Sequence, residues 1–338
     1  MADIQWWGEE EGVGFPHVVA SQQFSRKQLE RLFLLATILK EKVPKGSVVD
    51  WLKGCNGAAL FYEPSTRTRL SFETALNRLG ATKVSSENAA EFSSAVKGES
   101  LGDTGSTMAQ MADVIIMRHK TEGAARTVAL RVNHKENPPA VINGGDGKGQ
   151  HPTQALLDLY TIFERFGKID GLKIAMVGDL KRGRTVRSLA YMLSKFKDIE
   201  IIFVFSRFSR MGQDVKDYLS SHGVKWSESS DLLGVSCRVD VVYMTRPQLE
   251  REWNPFKRWL MKRANRQLMM TLKIAEEMPG DSIILHPLPR NEEIAEEVDN
   301  NERAWYFRQV ENGVYVRMAL LLIIFNAAKA EELLASAV

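Results

Sequence analysis

The chain has 338 residues, with 45 Lys and Arg against 42 Asp and Glu and a formal charge of +3. Such a length suits two domains rather than one, and 44% hydrophobic with 26% charged residues excludes wholesale disorder. So small a net charge argues against nucleic acid or an acidic membrane as partner.

The start, Met1-Ala2-Asp3-Ile4-Gln5-Trp6-Trp7 followed by Glu9, Glu10 and Glu11, has neither the basic region nor the apolar core of a signal peptide. Residues 24–40 read as an amphipathic helix with Leu29, Leu32, Phe33 and Leu35 on its apolar side. Residues 57–62 are short, apolar and strand-like. Leu70, Phe72, Ala75, Leu76 and Leu79 then recur at helical spacing until Gly80. A helix over 101–112 and strands over 114–117 and 140–142 come next. Gly144-Gly145-Asp146-Gly147-Lys148-Gly149 has the composition of a flexible loop. A helix starts near Pro152, with Pro at a tolerated early position. A second alternation places strands over 172–177, 199–205, 239–244 and 282–285, helices over 184–196 and 212–222, and a final long helix over 313–335. The longest apolar run, Met318 to Phe325, is far too short to span a bilayer. Cys55 and Cys237 have no metal or redox spacing and read as buried, reduced residues of an intracellular, cytoplasmic protein. Strand–helix alternation on both sides of residue 150 predicts an α/β chain of two domains, each a mainly parallel sheet flanked by helices. In such sheets ligands sit at the carboxyl ends of the strands.

The most informative segment is Pro64-Ser65-Thr66-Arg67-Thr68-Arg69, where a strand hands over to a helix. Free N–H groups and the positive end of the helix dipole favour an anion there. Ser65, Thr66, Arg67 and Thr68 add donors in the same small volume. Arg at a helix start opposes the dipole, so a basic first turn needs a negative ligand to explain it. The run lacks the glycines and the Lys-Ser/Thr ending of a P-loop.

Further constellations follow the other strands. Arg118 stands where it can reach an oxyanion. His151-Pro152-Thr153-Gln154 opens a helix, with His151 suited to donate to a carbonyl and Gln154 to accept from an NH₂ group. Arg184 closes Gly178-Asp179-Leu180-Lys181-Arg182-Gly183, and Arg246 and Gln248 lie in Thr245-Arg246-Pro247-Gln248. Two Arg from separate loops suit a dicarboxylate, because the guanidinium fork binds carboxylate bidentately. In His286-Pro287-Leu288-Pro289-Arg290 two prolines fix the backbone, so that its carbonyls can hold an amide NH₂. The polar stretch 93–101 holds Ser93 and Lys97, and long polar loops are often functional.

Together these motifs, in this order and spacing, resemble the aspartate/ornithine carbamoyltransferase family over nearly the whole chain. In the ornithine enzymes a Cys usually stands in the place of Pro287 and a Ser-Met-Gly loop in the place of 245–248. Ser209-Arg210-Met211-Gly212 comes too early to be that loop. The resemblance therefore implies transfer of the carbamoyl group from carbamoyl phosphate to L-aspartate, a step of pyrimidine synthesis. It implies a carbamoyl-phosphate-binding domain over 1–150, an aspartate-binding domain over 151–312, and a C-terminal helix over 313–338 returning to the first. Ser65, Thr66, Arg67 and Thr68 would hold the phosphate, and Thr68, Arg118 and His151 would polarise the carbonyl, with Arg67 also catalytic. Gln154 and the Pro287-Leu288-Pro289 segment would orient the carbamoyl NH₂. Lys97, Arg184, Arg246 and Gln248 would bind aspartate, with closure of the two domains on aspartate binding. The resemblance also implies a homotrimer with sites between subunits, to which Ser93 and Lys97 come from a neighbour, and possible regulatory chains. It requires no cofactor and no metal. The Trp6-Trp7 pair and the Arg-, Lys- and Met-rich stretch 253–278 take no role from it.

Overall fold

Short β-rich runs bounded by turn residues form two separate parallel sheets in the computed structural model, which describes residues 7–10, 12–87, 98–134 and 137–336. The chain divides into one unit of Met1–Tyr160 with Glu311–Val338 and a second of Thr161–Val310. The division falls within two helices, Pro152–Phe166 and Tyr306–Phe325.

In the first unit β1 (Asn56–Phe61), β2 (Thr82–Glu87), β3 (Val114–His119) and β4 (Ala140–Asp146) lie in the order β2-β1-β3-β4. Helices α1 (Arg26–Lys42), α2 (Thr66–Arg78), α3 (Leu101–Met108) and α4 (Ala124–Val132) alternate with them. Ile115, Met117 and Val141 pack against Ala125, Val128 and Val132 of α4. Helix α1 begins at a reciprocal cap, where Ser25 accepts from the Gln28 N–H and Gln28 from the Ser25 N–H. Helix α5 (Pro152–Phe166) leads into the second unit.

There β5 (Lys173–Val177), β6 (Glu200–Val204), β7 (Lys225–Ser229), β8 (Val241–Met244) and β9 (Ile283–Leu285) lie in the order β7-β6-β5-β8-β9. Helices α6 (Arg184–Leu193), α7 (Gln213–Ser221), α8 (Leu232–Ser236), α9 (Pro255–Asn265) and α10 (Leu272–Glu277) connect them. Ala175, Ile202, Val242 and Ile284 form a continuous core with Leu232, Ala275 and Tyr306. Helices α11 (Tyr306–Phe325) and α12 (Ala327–Ala335) end the chain. Among the described residues no helix is long and apolar enough to cross a membrane.

Both sheets have a topological switch point, β1/β3 in the first and β5/β8 in the second. At each, neighbouring strands send their crossovers to opposite sides and leave a crevice beyond their carboxyl ends. The Ser65–Arg69 run and Arg118 sit at the first, and the Gly178–Arg184 and Thr245–Gln248 turns at the second.

Several expectations are corrected. The glycine-rich segment is not a loose loop over its whole length. Strand β4 runs on through Gly144 and Gly145 to Asp146, every residue buried. Asp146 then fixes the turn by accepting from the N–H groups of Gln150 (2.7 Å) and Gly123 (2.8 Å). Arg118 lies inside β3 rather than after it. The long C-terminal helix is two, because the Asn326 side chain caps Lys329 N and donates to Trp51 O, each at 3.1 Å. Cys237 is exposed at the end of α8 and Cys55 is half-buried, so neither is a buried core thiol. Strands β2 and β7 escape detection because Thr-Lys-Val-Ser-Ser-Glu and Lys-Trp-Ser-Glu-Ser hold no apolar run, unlike the buried edge strands β4 and β9. Trp7 acquires a structural role: it is 1% exposed, donates to His17 O at 2.8 Å and packs on Phe15 and Phe24.

Candidate functional site

In the first unit the predicted residues gather at the β1/β3 crevice. Ser65 is the N-cap of α2, and its hydroxyl caps no backbone N–H. The first-turn N–H groups of Thr66, Arg67 and Thr68 have no intrahelical acceptor by geometry. Arg67 is exposed and makes no ion pair among the described residues, and partial desolvation lowers its guanidinium pKa. A cation without a counter-ion, beside a helix N-terminus with an idle cap, is the electrostatic signature of an anion site.

Thr68 is buried, and its Oγ1 lies 3.4 Å from His151 Nε2. His151, 3% exposed at the head of α5, has Nδ1 3.4 Å from Thr153 Oγ1, while its carbonyl accepts from Gln154 N and Ala155 N. Arg118 Nη1 donates to Gly144 O at 3.2 Å, and its Nε lies 3.7 Å from Glu63 Oε2. A larger residue in place of Gly144 would crowd this point. A Cβ on it would lie 3.1 Å from Met117 O and 3.6 Å from Thr68 Cγ2. Thr68, His151 and Arg118 are thus gathered by packing, with donors on one small surface. Gln154 sits one turn into α5 and donates Nε2 to Asp158 Oδ1 at 2.7 Å, so its side-chain oxygen is the acceptor end of the amide.

The second unit assembles the other residues at the β5/β8 crevice. Gly178 has φ +112°, and a Cβ on it would fall 2.3 Å from Thr245 O, so the two turns touch at backbone distance. Arg184 is the half-buried first residue of α6. Arg246 is forked by Glu250: Nη1 reaches Oε2 at 3.0 Å and Nη2 binds Oε1. This pair raises the Arg246 pKa and displays the bidentate geometry a carboxylate ligand needs. Gln248 donates its backbone N–H to Asp179 Oδ2 (3.1 Å) and Nε2 to Arg182 O (3.2 Å).

After β9, His286 is 1% exposed, and the Leu288 N–H donates to its Nδ1 at 2.7 Å. That bond makes Nε2 the protonated nitrogen, which donates to Glu293 Oε1 at 2.9 Å. Leu288 is held at φ +51°, a conformation an L-residue adopts only when its surroundings impose it. Pro287 and Leu288 are half-buried and Pro289 is exposed. The loop is therefore a fixed backbone presenting carbonyls. Ser93 and Lys97 lie outside the described residues.

Sequence reading found the cations and missed the carboxylates that hold them. Glu63, Asp158, Asp179, Glu250, Glu252 and Glu293 each touch a predicted segment. The i,i+4 spacings of Arg246 with Glu250 and of Gln154 with Asp158 were legible signals among them. Among the described residues no three His, Cys, Asp or Glu cluster as metal ligands. The cationic donors and idle helix N–H groups of the first unit suit an anionic ligand, and the Arg246 fork of the second suits a carboxylate.

Comparison with known proteins agrees over both units. Residues 16–164 match the family model for the aspartate/ornithine carbamoyltransferase carbamoyl-P binding domain, and 170–324 that for the Asp/Orn binding domain. The chloroplastic aspartate carbamoyltransferase of Arabidopsis thaliana is 50% identical over 91% of this chain and 77% of its own. The aspartate carbamoyltransferase catalytic subunit of Thermococcus kodakarensis is 45% identical over 90% of this chain and 95% of its own. The crystal structure of Trypanosoma cruzi aspartate transcarbamoylase with carbamoyl phosphate and aspartate superposes with TM-score 0.83 at 35% identity, covering 91% of this chain and 95% of that one.

Proposed function

We propose that this chain, which belongs to the aspartate/ornithine carbamoyltransferase family, transfers the carbamoyl group of carbamoyl phosphate to the amine of L-aspartate, giving N-carbamoyl-L-aspartate and phosphate. The observation that carries the reading is the convergence of Thr68 Oγ1 and His151 Nε2 at 3.4 Å, beside the Arg67 first turn and Arg118. Ser65, Thr66, Arg67 and Thr68 bind the phosphate. Thr68, Arg118 and His151 donate to the carbamoyl oxygen. The side-chain carbonyl of Gln154 and the carbonyls of Pro287 and Leu288, braced by Pro289, accept from the carbamoyl NH₂. Arg184, Arg246 and Gln248 hold the two aspartate carboxylates. For Arg246 the exchange of Glu250 for a substrate carboxylate preserves the fork already formed.

In the reaction the neutral amine of aspartate attacks the carbamoyl carbon, and charge grows on the carbonyl oxygen. The C–O bond to phosphate then breaks, and the amine proton passes to the departing phosphate. Fixed donors aimed at both oxygens lower the barrier, and holding two substrates in register removes much of its entropic part. No side chain is required as nucleophile.

The assembly belonging to this reading is a homotrimer in which Ser93 and Lys97 serve a neighbouring subunit, with room for a regulatory chain. The compartment belonging to it is the cytoplasm, although the Arabidopsis relative is named chloroplastic. The decisive experiment follows phosphate release from carbamoyl phosphate with L-aspartate and, separately, L-ornithine. Turnover with aspartate alone is expected; turnover with ornithine alone refutes the acceptor assignment.

A further inference from the structure

The two turns that carry Arg184, Arg246 and Gln248 are joined by a buried ionic bridge that the reaction itself does not use. Arg182 lies two residues before Arg184, and its side chain is only 14% exposed. Its Nη2 meets Glu252 Oε2 at 3.1 Å, and its Nη1 lies 3.7 Å from Asp179 Oδ2. The Asp179 side chain is fully buried. Besides Arg182 Nη1, it accepts from the N–H of Arg182 (3.3 Å) and of Gln248 (3.1 Å). Gln248 returns the contact through Nε2 to Arg182 O. Glu252, six residues after Arg246, is 12% exposed and is also reached by Lys257 Nζ at 3.2 Å. Its carbonyl accepts Arg258 Nε (3.1 Å) and Nη2 (2.7 Å), which ties the start of α9 to the same point.

We propose that Arg182 is a positioning residue, latching the 246–252 segment to the 178–184 turn through Glu252 and Asp179 and so setting the carboxylate ligands of the amino-acid substrate. This rests on the assignment of Arg184, Arg246 and Gln248 made above. A guanidinium nearly buried between two carboxylates is spent as a ligand for a third, so Arg182 acts through Gln248 and Arg246 rather than on substrate. Its fork is the feature that matters. One planar group spans two carboxylates on different turns, which a point charge such as Lys does less well.

Two measurements test this in the native full-length enzyme. In the first, amide hydrogen exchange is followed in peptides covering 178–184 and 245–258. Arg182→Met and Glu252→Gln speed exchange of the Gln248 amide at least about tenfold while peptides of β5 and β8 keep their protection. In the second, both variants raise the KM for aspartate about tenfold or more, with the KM for carbamoyl phosphate held within about twofold. Arg182→Lys recovers part of the aspartate KM, and the exchanged pair Arg182→Glu with Glu252→Arg recovers more than either single change. Unchanged exchange at Gln248 overturns the latch. So does an equal rise of both KM values, which marks general loosening. Faster exchange in variants of an enzyme that does not turn over aspartate keeps the latch and refutes the substrate assigned to it.

Discussion

Thr68 Oγ1 and His151 Nε2 stand 3.4 Å apart although 83 residues separate them in sequence. Neither is useful alone. A helix-start Thr and a helix-start His become a donor pair through the tertiary fold, in which β4 lays Gly144 beside Met117 and Thr68. His151→Ala is expected to lower kcat about a hundredfold, the usual cost of losing one donor to a developing oxyanion. Thr68→Ala does the same, and the double variant loses less than the product, since the two act as a unit. Steady-state kcat at saturating substrates checks this; fully multiplicative losses refute shared donation.

Arg67 separates binding from stability. Its charge opposes the α2 dipole without a counter-ion among the described residues. Arg67→Ala is expected to cost kcat/KM for carbamoyl phosphate about a hundredfold or more. The ligand-free fold is unchanged or firmer by about 0.3–1 kcal/mol, the size of a dipole term. Urea unfolding without substrate, set beside the kinetics, decides it.

Asp158 and Arg317 are the buried charges behind Gln154. Asp158 is 0% exposed and accepts from Gln154 Nε2, and its charge faces Arg317. Arg317 donates to Gly313 O at 3.0 Å and lies over the Phe72 ring. Burial pushes the Arg317 pKa down to about 10, so it remains charged at neutral pH. Arg317→Met removes the positive charge that faces the buried Asp158 carboxylate and is expected to cost about 3 kcal/mol. Adding Asp158→Asn recovers most of it. A shift in urea midpoint that is additive in the double variant refutes the coupling.

Acid stability carries the signature of Arg290 and Asp299. A hydrogen bond from Arg290 holds the Asp299 carboxyl below its ordinary 3.8, with Tyr306 adding a second donor. A lowered folded pKa means the stabilisation is complete above the unfolded value and is lost as pH falls below about 3.8. The pair is partly solvated, so its loss is worth at most about 1 kcal/mol. Asp299→Asn is expected to flatten the stability profile below pH 3.8 relative to the native chain. Urea midpoints from pH 5 to pH 3 measure it.

The elements whose residues face a core announce themselves. α1, α2, β3 and β5 were legible because burial on one or both faces imposes a period on the sequence. The cations of the candidate site were legible for a related reason: Arg67, Arg184 and Arg246 follow buried strands and Arg118 lies near the end of one, where a charge has to have a purpose. Strands β2 and β7 carry no such period, because neither buries a face: Thr82 to Ser85 are exposed and no residue of β7 is buried. The exposed helix α9 buries only Met261 and Asn265, so no apolar stripe marks it. The carboxylates were hidden most thoroughly. Asp179 and Glu252 are 73 residues apart, and nothing local says that Arg182 will bridge them. By itself the sequence determined the two-sheet α/β plan and the donors, through hydrophobic period and helix-terminus chemistry. The tertiary structure alone decided which acid meets which base, because that depends on strand order bringing the β5 and β8 turns to backbone contact at Gly178.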